Sequence, residues 1–185
     1  MSGRKDPQGR RRAMLEVAAQ EMAEHGYQAL THRRVAERAG VSLSSTTYHF
    51  TSLDDLRTSA LELLANRIED DLREFARDIE GCEGRPADIA AGFALQLRDH
   101  SALQAEMVLY YAGLYDPKLR PLARRWAEGM AEVLSHYTSP AAAKAVAIYM
   151  DGVILHTLLT EQPVDEAELR MAIAALMNPS PEKKP

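Results

Sequence analysis

Residues 31–50 read THRRVAERAGVSLSSTTYHF, and the fold turns on how this stretch is read. Thr31 reads as an N-cap, because its hydroxyl can accept from an orphan backbone N–H of the next turn. From His32 to Ala39 the spacing is helical, with Val35, Ala36 and Ala39 forming a small apolar stripe. Gly40 then stops the run, since glycine tolerates the positive φ at which helices end. Val41 re-enters the core, Ser42 can cap, and Leu43 to His49 supplies roughly two more turns. Small residues where helices approach, a glycine at the turn and an apolar residue after it describe a helix-turn-helix.

On the N-terminal side, Arg10 to His25 is expected to form a helix. Met14, Ala18 and Met22 at i, i+4 and i+8, with Val17, give it one apolar face. Gly26 ends it, and Tyr27 packs back onto it. Residues 1–9 are polar, hold Gly3, Pro7 and Gly9, and read as a flexible basic arm. On the C-terminal side, Ser52 and Asp55 make a capping-box-like pair that opens a long helix. Its stripe of Leu56, Leu61, Leu64, Ile68, Leu72, Phe75 and Ile79 runs to Gly81-Cys82-Glu83-Gly84. About 28 residues at helical rise make roughly 40 Å, a length that suits a strut between a small head and a larger body.

Beyond Pro86 the helix signals are frequent. Asp88–Asp99 is expected to be helical, and Ser101 with Gln104 reads as a capping box for a helix ending near Tyr115. Asp116-Pro117 and Ser139-Pro140 each pair an N-cap with proline at the first helical position. They open helices to about Tyr137 and about Glu161. Pro163 breaks the second, and Asp165 with Glu168 caps a last helix ending before Asn178-Pro179. The expected chain is all-α, with nine helices. It divides into an arm (1–9), a helix-turn-helix domain (10–51), a helical body (52–178) and a tail (179–185).

The net charge of −5 hides a gradient. Residues 1–58 hold 9 Lys/Arg against 7 Asp/Glu, a balance of +2, whereas residues 59–185 hold 13 against 20, a balance of −7. A basic end on an acidic body fits a protein that presents only that end to nucleic acid. Cys82 is the only cysteine, which excludes an intramolecular disulfide and a cysteine-based zinc site. No signal-peptide h-region follows the first basic residues. The most apolar run, Ala145 to Leu159, is interrupted by Asp151 and falls short of a membrane span. A cytoplasmic location is expected.

The segment Met14–Leu56 resembles the N-terminal DNA-binding domain of the TetR family of transcriptional repressors (TetR/AcrR-like). The likeness rests on HGY (His25–Tyr27), Thr31, the VAERAGVS block (Val35–Ser42), a short helix closing in YHF (Tyr48–Phe50) and SLDDL (Ser52–Leu56). About a quarter of the chain carries it residue by residue; the remainder matches in length and helix order. A helix-turn-helix lays its second helix in the major groove. On that geometry Val41, Thr46 and Phe50 face inward, while Leu43, Ser44, Ser45, Thr47 and Tyr48 face outward. Ser44, Ser45 and Thr47 can touch bases or phosphates, and Leu43 can pack on a thymine methyl. Arg33 is the candidate for bidentate reading of guanine. Tyr48 and His49 would position the head on phosphates, and the first helix would carry Arg10, Arg11 and Arg12 toward the backbone. The resemblance implies the same roles, with Thr31 and His49 at phosphate contacts and Leu43–Ser45 and Thr47 facing bases; Ser42 joins this set. Many members carry Lys at Leu43, Tyr at Thr47 and Lys at Leu53, so the docking mode carries over but no operator sequence does.

A lone helix-turn-helix covers few base pairs, so a two-fold homodimer is expected. The natural dimer surface is the last pair of long helices, with Ala141, Ala145, Ile148, Gly152, Leu155, Leu158, Leu169 and Ile173 as candidate interface residues; the resemblance points to the same pair. It also implies that polarisable and aromatic side chains line an effector cavity: Phe93, Leu97, Met107, Tyr110, Tyr111, Trp126, Met130, Tyr149, Met150 and His156. Together they suggest a small, largely apolar effector. The six histidines form no HExxH or similar cluster, and no GxSxG, Walker or Rossmann fingerprint occurs. No catalytic residue, metal or cofactor is expected. The expected function is a homodimeric, sequence-specific repressor of a palindromic operator, released by a small molecule. Two alternatives are a ligand-binding helical module without DNA readout and a DNA-binding regulator with no effector.

Overall fold

The computed structural model describes residues 6–178. The expected tail and the first five residues of the expected arm lie outside the described residues. The chain is all-α, with ten helices and one 3-10 turn among the described residues: α1 (Pro7–His25), the turn Tyr27–Ala29, α2 (His32–Ala39), α3 (Leu43–His49), α4 (Leu53–Gly81), α5 (Pro86–Gln96), α6 (His100–Tyr115), α7 (Arg120–Ala123), α8 (Arg125–Ser135), α9 (Pro140–Thr160) and α10 (Glu166–Met177). Contacts divide it into two units. One takes the described residues up to Arg67 together with Gln104–Ala123; the other takes Ile68–Leu103 and the described residues from Arg124 on. This division falls inside α4, not at its start.

In the first unit, α1 begins three residues before the expected Arg10. Asp6 caps it by accepting from Gln8 N–H, and Pro7 occupies a first-turn position where its missing N–H is harmless. Met14, Ala18 and Met22 are fully buried, with Leu30, Val35, Phe50, Leu56 and Leu61. Each of these Met, Leu, Val and Phe side chains contributes about 1.5–3 kcal/mol by leaving water. Val41 is only half-buried, less than its position after the turn suggested. Gly40 adopts φ 64°, and Val41 N–H bonds back to Ala36 C=O at 3.0 Å, the six-to-one bond of a Schellman stop.

In the second unit α8 packs on α9, and α10 packs on α9 and α5. Its core holds Ile79, Ile89, Phe93, Leu97, Met130, Leu134, Val146, Met150, Ile154, Leu169 and Ile173. Ser139 caps α9 by accepting from Ala142 N–H, and Asp165 caps α10 by accepting from Ala167 N–H at 2.8 Å. Helix α9 is long and apolar enough to cross a membrane by length and composition, but its buried residues, from Ala142 to Thr157, are those of a core helix.

Three expectations need correction. The helix expected from Pro117 to Tyr137 starts at Arg120 and is two helices, divided at Arg124; Pro121, with no N–H to bond back to Pro117 C=O, sits in the first turn of α7, where that loss is harmless. Helix α6 is capped by Asp99, which accepts from Ala102 N–H at 3.0 Å, so Ser101 lies inside the helix. Arg11 does not reach toward a phosphate backbone: its guanidinium lies 5.0 Å over the Phe50 ring and donates to Ser59 Oγ.

Candidate nucleic-acid interface

Helix α3 is held from behind by two residues. Thr46 and Phe50 are 0% and 1% exposed, and the Thr46 hydroxyl donates to Leu43 C=O at 2.8 Å. Ser42 caps the helix, accepting from Ser45 N–H at 3.3 Å, and shares a 2.9 Å hydrogen bond with Ser44 Oγ. The opposite face is open. Leu43 is 51% and Tyr48 83% exposed, Ser42, Ser44 and Thr47 are exposed, and Ser45 and His49 are half-buried. Tyr48 therefore does not pack beneath α4. The Thr47 hydroxyl donates to the carbonyls of Leu43 and Ser44, so the lone pairs left on its oxygen can accept from a base amino group. No Lys or Arg occurs in α3.

Helix α2 supplies the cations. Thr31 caps it by accepting from Arg34 N–H at 3.2 Å, and Thr31 and Arg33 both face solvent. Arg34 and Arg38 are committed inward, to a clamp that the sequence reading missed. Arg34 Nε donates to Glu21 at 2.7 Å, and Arg38 donates to Glu21 at 2.8 Å and to Glu24 at 2.6 and 2.7 Å. Burial alone would raise the Glu21 carboxyl, but hydrogen bonds and charge from Arg38 and Arg34 overcome it and hold the group below its ordinary value. Glu24 is lowered chiefly by its hydrogen bonds to Arg38. Glu21, Glu24 and His25 also bring ligand atoms within 4.8 Å of one another, but the two carboxylates already hold guanidiniums. The sequence signal for the clamp was a glutamate seven residues after Met14, on the apolar face of α1. Arg10 is exposed on α1, while Arg12 pairs with Glu16 at 3.2 Å.

The expected effector residues separate by burial. Phe93, Leu97, Trp126, Met130 and Met150 are buried, Met107, Tyr110 and Tyr149 are half-buried, and Tyr111 and His156 are exposed. Tyr111 stacks instead between Tyr27 (6.3 Å) and Tyr115 (4.6 Å), and Arg57 lies over the Tyr27 ring at 5.1 Å. A groove of about 500 Å³ between α8 and α9, lined by Ala127, Ala131, Ala147 and Ile148 among others, contains none of these ten. The sequence reading also passed over Glu106, which is 3% exposed on α6. It sits three residues after buried Leu103 and four before Tyr110, a helical spacing that was legible.

The expected dimer residues separate too. Ala141, Ile148, Gly152 and Leu155 are exposed and Ala145 and Leu158 half-buried on α9. Leu169 and Ile173 are fully buried within the chain and have no surface to offer a second copy; the exposed large apolar residue of α10 is Met171, at 70%.

Residues 14–60 match the bacterial regulatory proteins of the tetR family. Residues 83–179, more than half of the chain, match the tetracyclin repressor-like C-terminal domain. The chain belongs to the tetR family. Among solved structures, the tetR-family member SCO1917 from Streptomyces coelicolor A3 is 34% identical, covers 91% of this chain and 98% of its own, and superposes with a TM-score of 0.80. The multidrug binding protein EbrR, complexed with imidazole, is 33% identical over 96% of this chain and 99% of its own, with a TM-score of 0.76. EbrR complexed with ethidium is 35% identical, over 91% and 98%, with a TM-score of 0.69. The HTH-type transcriptional regulator PksA of Bacillus subtilis (strain 168) is 28% identical over 75 residues, 40% of this chain and 37% of PksA. As a tetR-family regulator, the chain joins a helix-turn-helix DNA-binding domain to a ligand-binding domain.

Proposed function

We propose that the chain acts as a homodimeric repressor in the cytoplasm, gripping a palindromic operator through α3 and Arg33 and releasing it when a small molecule binds. The observation that carries this reading is the two-sided α3: Thr46 and Phe50 are buried, whereas Leu43, Ser44, Thr47 and Tyr48 face water. A helix so fixed from one side can enter a major groove without losing its packing. The exposed apolar face of α9 supports the dimer. A Cβ on Gly152 would meet nothing within 4 Å, so no neighbour in the chain requires glycine there. A mid-helix glycine costs about 1 kcal/mol relative to alanine, and close approach of a second copy would explain its presence.

The effector is proposed to be an aromatic cation. Glu106 is a buried carboxylate with Met107 and Tyr110 nearby on α6. EbrR has been solved with malachite green, proflavin and ethidium, all aromatic cations. No catalytic step is part of this function.

Selection of tight binders from a random duplex pool, followed by anisotropy at several salt concentrations, tests the DNA half. An enriched inverted repeat with a steep salt slope is expected; weak binding with no enriched sequence would contradict it. Proflavin titrated into the complex tests the effector half. Glu106→Gln is expected to weaken release by the dye about tenfold, and equal release by parent and variant would remove Glu106 from the site.

A further inference from the structure

We propose that Glu37 is a positioning residue for base reading, holding Arg33 so that the two terminal nitrogens of its guanidinium meet a guanine edge. This rests on the reading of Arg33 as a base contact. Arg33 and Glu37 lie one turn apart on α2, with side chains 81% and 64% exposed, and Arg33 Nε donates to Glu37 Oε1 at 2.9 Å. An arginine has five N–H donors in a rigid fork. With Nε–H directed to Glu37, the end of the fork, Nη1 and Nη2, stays open: Arg33 makes no other hydrogen bond or ion pair among the described residues. Two parallel N–H donors are what guanine O6 and N7 accept in the major groove. Arg38 shows the opposite case, because its Nη1 and Nη2 are both closed by Glu21 and Glu24. The carboxylate also raises the Arg33 pKa above its ordinary value through that hydrogen bond.

A simple surface ion pair and a positioning contact predict different outcomes. Glu37 carries negative charge on a face turned to phosphates, which on charge alone weakens binding to every sequence. If the pair were only an ornament of the surface, Glu37→Ala would tighten binding uniformly and leave discrimination intact. A positioning role predicts that Glu37→Ala relaxes discrimination at one base pair while general affinity rises.

The test uses the full-length chain and the duplex recovered by selection, with 7-deazaguanine, which lacks N7, placed at each guanine in turn. The parent is expected to lose about tenfold in affinity at the contacted guanine. Arg33→Ala is expected to be indifferent to that replacement, which identifies the position. Glu37→Ala should lose most of the tenfold difference, whereas Glu37→Gln should keep most of it, because its amide oxygen can still accept from Nε. If Glu37→Ala keeps the full discrimination while Arg33→Ala abolishes it, Glu37 does not position the fork and the proposal is overturned. If Arg33→Ala keeps it as well, Arg33 is not the base-reading residue, and that reading falls together with the role of Glu37.

Discussion

Helices α3 and α9 both leave part of their surface in water, and the two surfaces are opposite in kind. On α3 the open side carries the hydroxyls of Ser44, Thr47 and Tyr48, which water solvates as well as a base or phosphate would, and one aliphatic residue, Leu43, at 51% exposure. On α9 it carries Ile148, Leu155 and Leu159, at 59%, 49% and 76% exposure, with Gly152 between them. Exposed apolar surface costs roughly 25 cal/mol per Å² relative to burial, so the α9 face is destabilising until covered. The α3 face carries less of it, from Leu43 and the Tyr48 ring, and its hydroxyls gain only when a partner offers matching donors, acceptors and charge. On the proposed function, the first face serves sequence-dependent, reversible contact and the second serves association of two copies.

Removing what holds α2 and α3 in place should have the largest effect. Glu21→Ala strips two guanidiniums of a buried carboxylate and is expected to cost about 2–3 kcal/mol of unfolding stability. Urea denaturation measures it, and an unchanged midpoint would show that the clamp does not support the platform. The effect has a pH signature. The folded Glu21 carboxyl lies below its ordinary 4.5, so its contribution is complete above that value and is lost as pH falls through the lowered one. Glu21→Gln should therefore flatten the acid side of the stability profile.

From the other face, Ile148→Arg should weaken association by about 2 kcal/mol, roughly 30-fold, without unfolding the chain. Sedimentation equilibrium, with a protomer of 20.5 kDa as reference, should show a shift toward the single chain. Undiminished association would move the interface away from this part of α9. Arg33→Ala should leave association intact and weaken specific DNA binding by about 1–3 kcal/mol, read by anisotropy on the selected duplex. The smallest effect is expected from Ser42→Ala, which removes the α3 N-cap at a cost of about 1 kcal/mol in thermal stability.

Most of the backbone plan was legible in the sequence because caps and breakers act locally. Thr31, Ser42, Ser139 and Asp165 all cap the helices they were expected to open. Where two local signals competed, the structure chose between them: Pro121, not Pro117, holds the first turn of the helix that begins at Arg120, and Asp99 took the cap that Ser101 also offered. The less legible part lies where periodicity is silent. An apolar stripe marks a face without saying what meets it, so Leu169 and Ile173 were assigned to a partner although they fill the chain's own core. Charged residues on such stripes, Glu21 and Glu106, were passed over because pattern alone does not reveal whether a carboxylate has guanidiniums waiting for it. Arg33 and Glu37 were visible as an i, i+4 pair, but which nitrogen of the fork the carboxylate would take was not.

The most direct test of the account is N7-methylation interference on the selected duplex, with parent and Arg33→Ala side by side. If two copies read the major groove through α2 and α3, methylation should interfere at two symmetric guanines separated by about one helical turn or a multiple of it, and Arg33→Ala should lose sensitivity at both. Interference at no guanine, or a pattern without two-fold symmetry that Arg33→Ala leaves unchanged, would contradict base reading by this face.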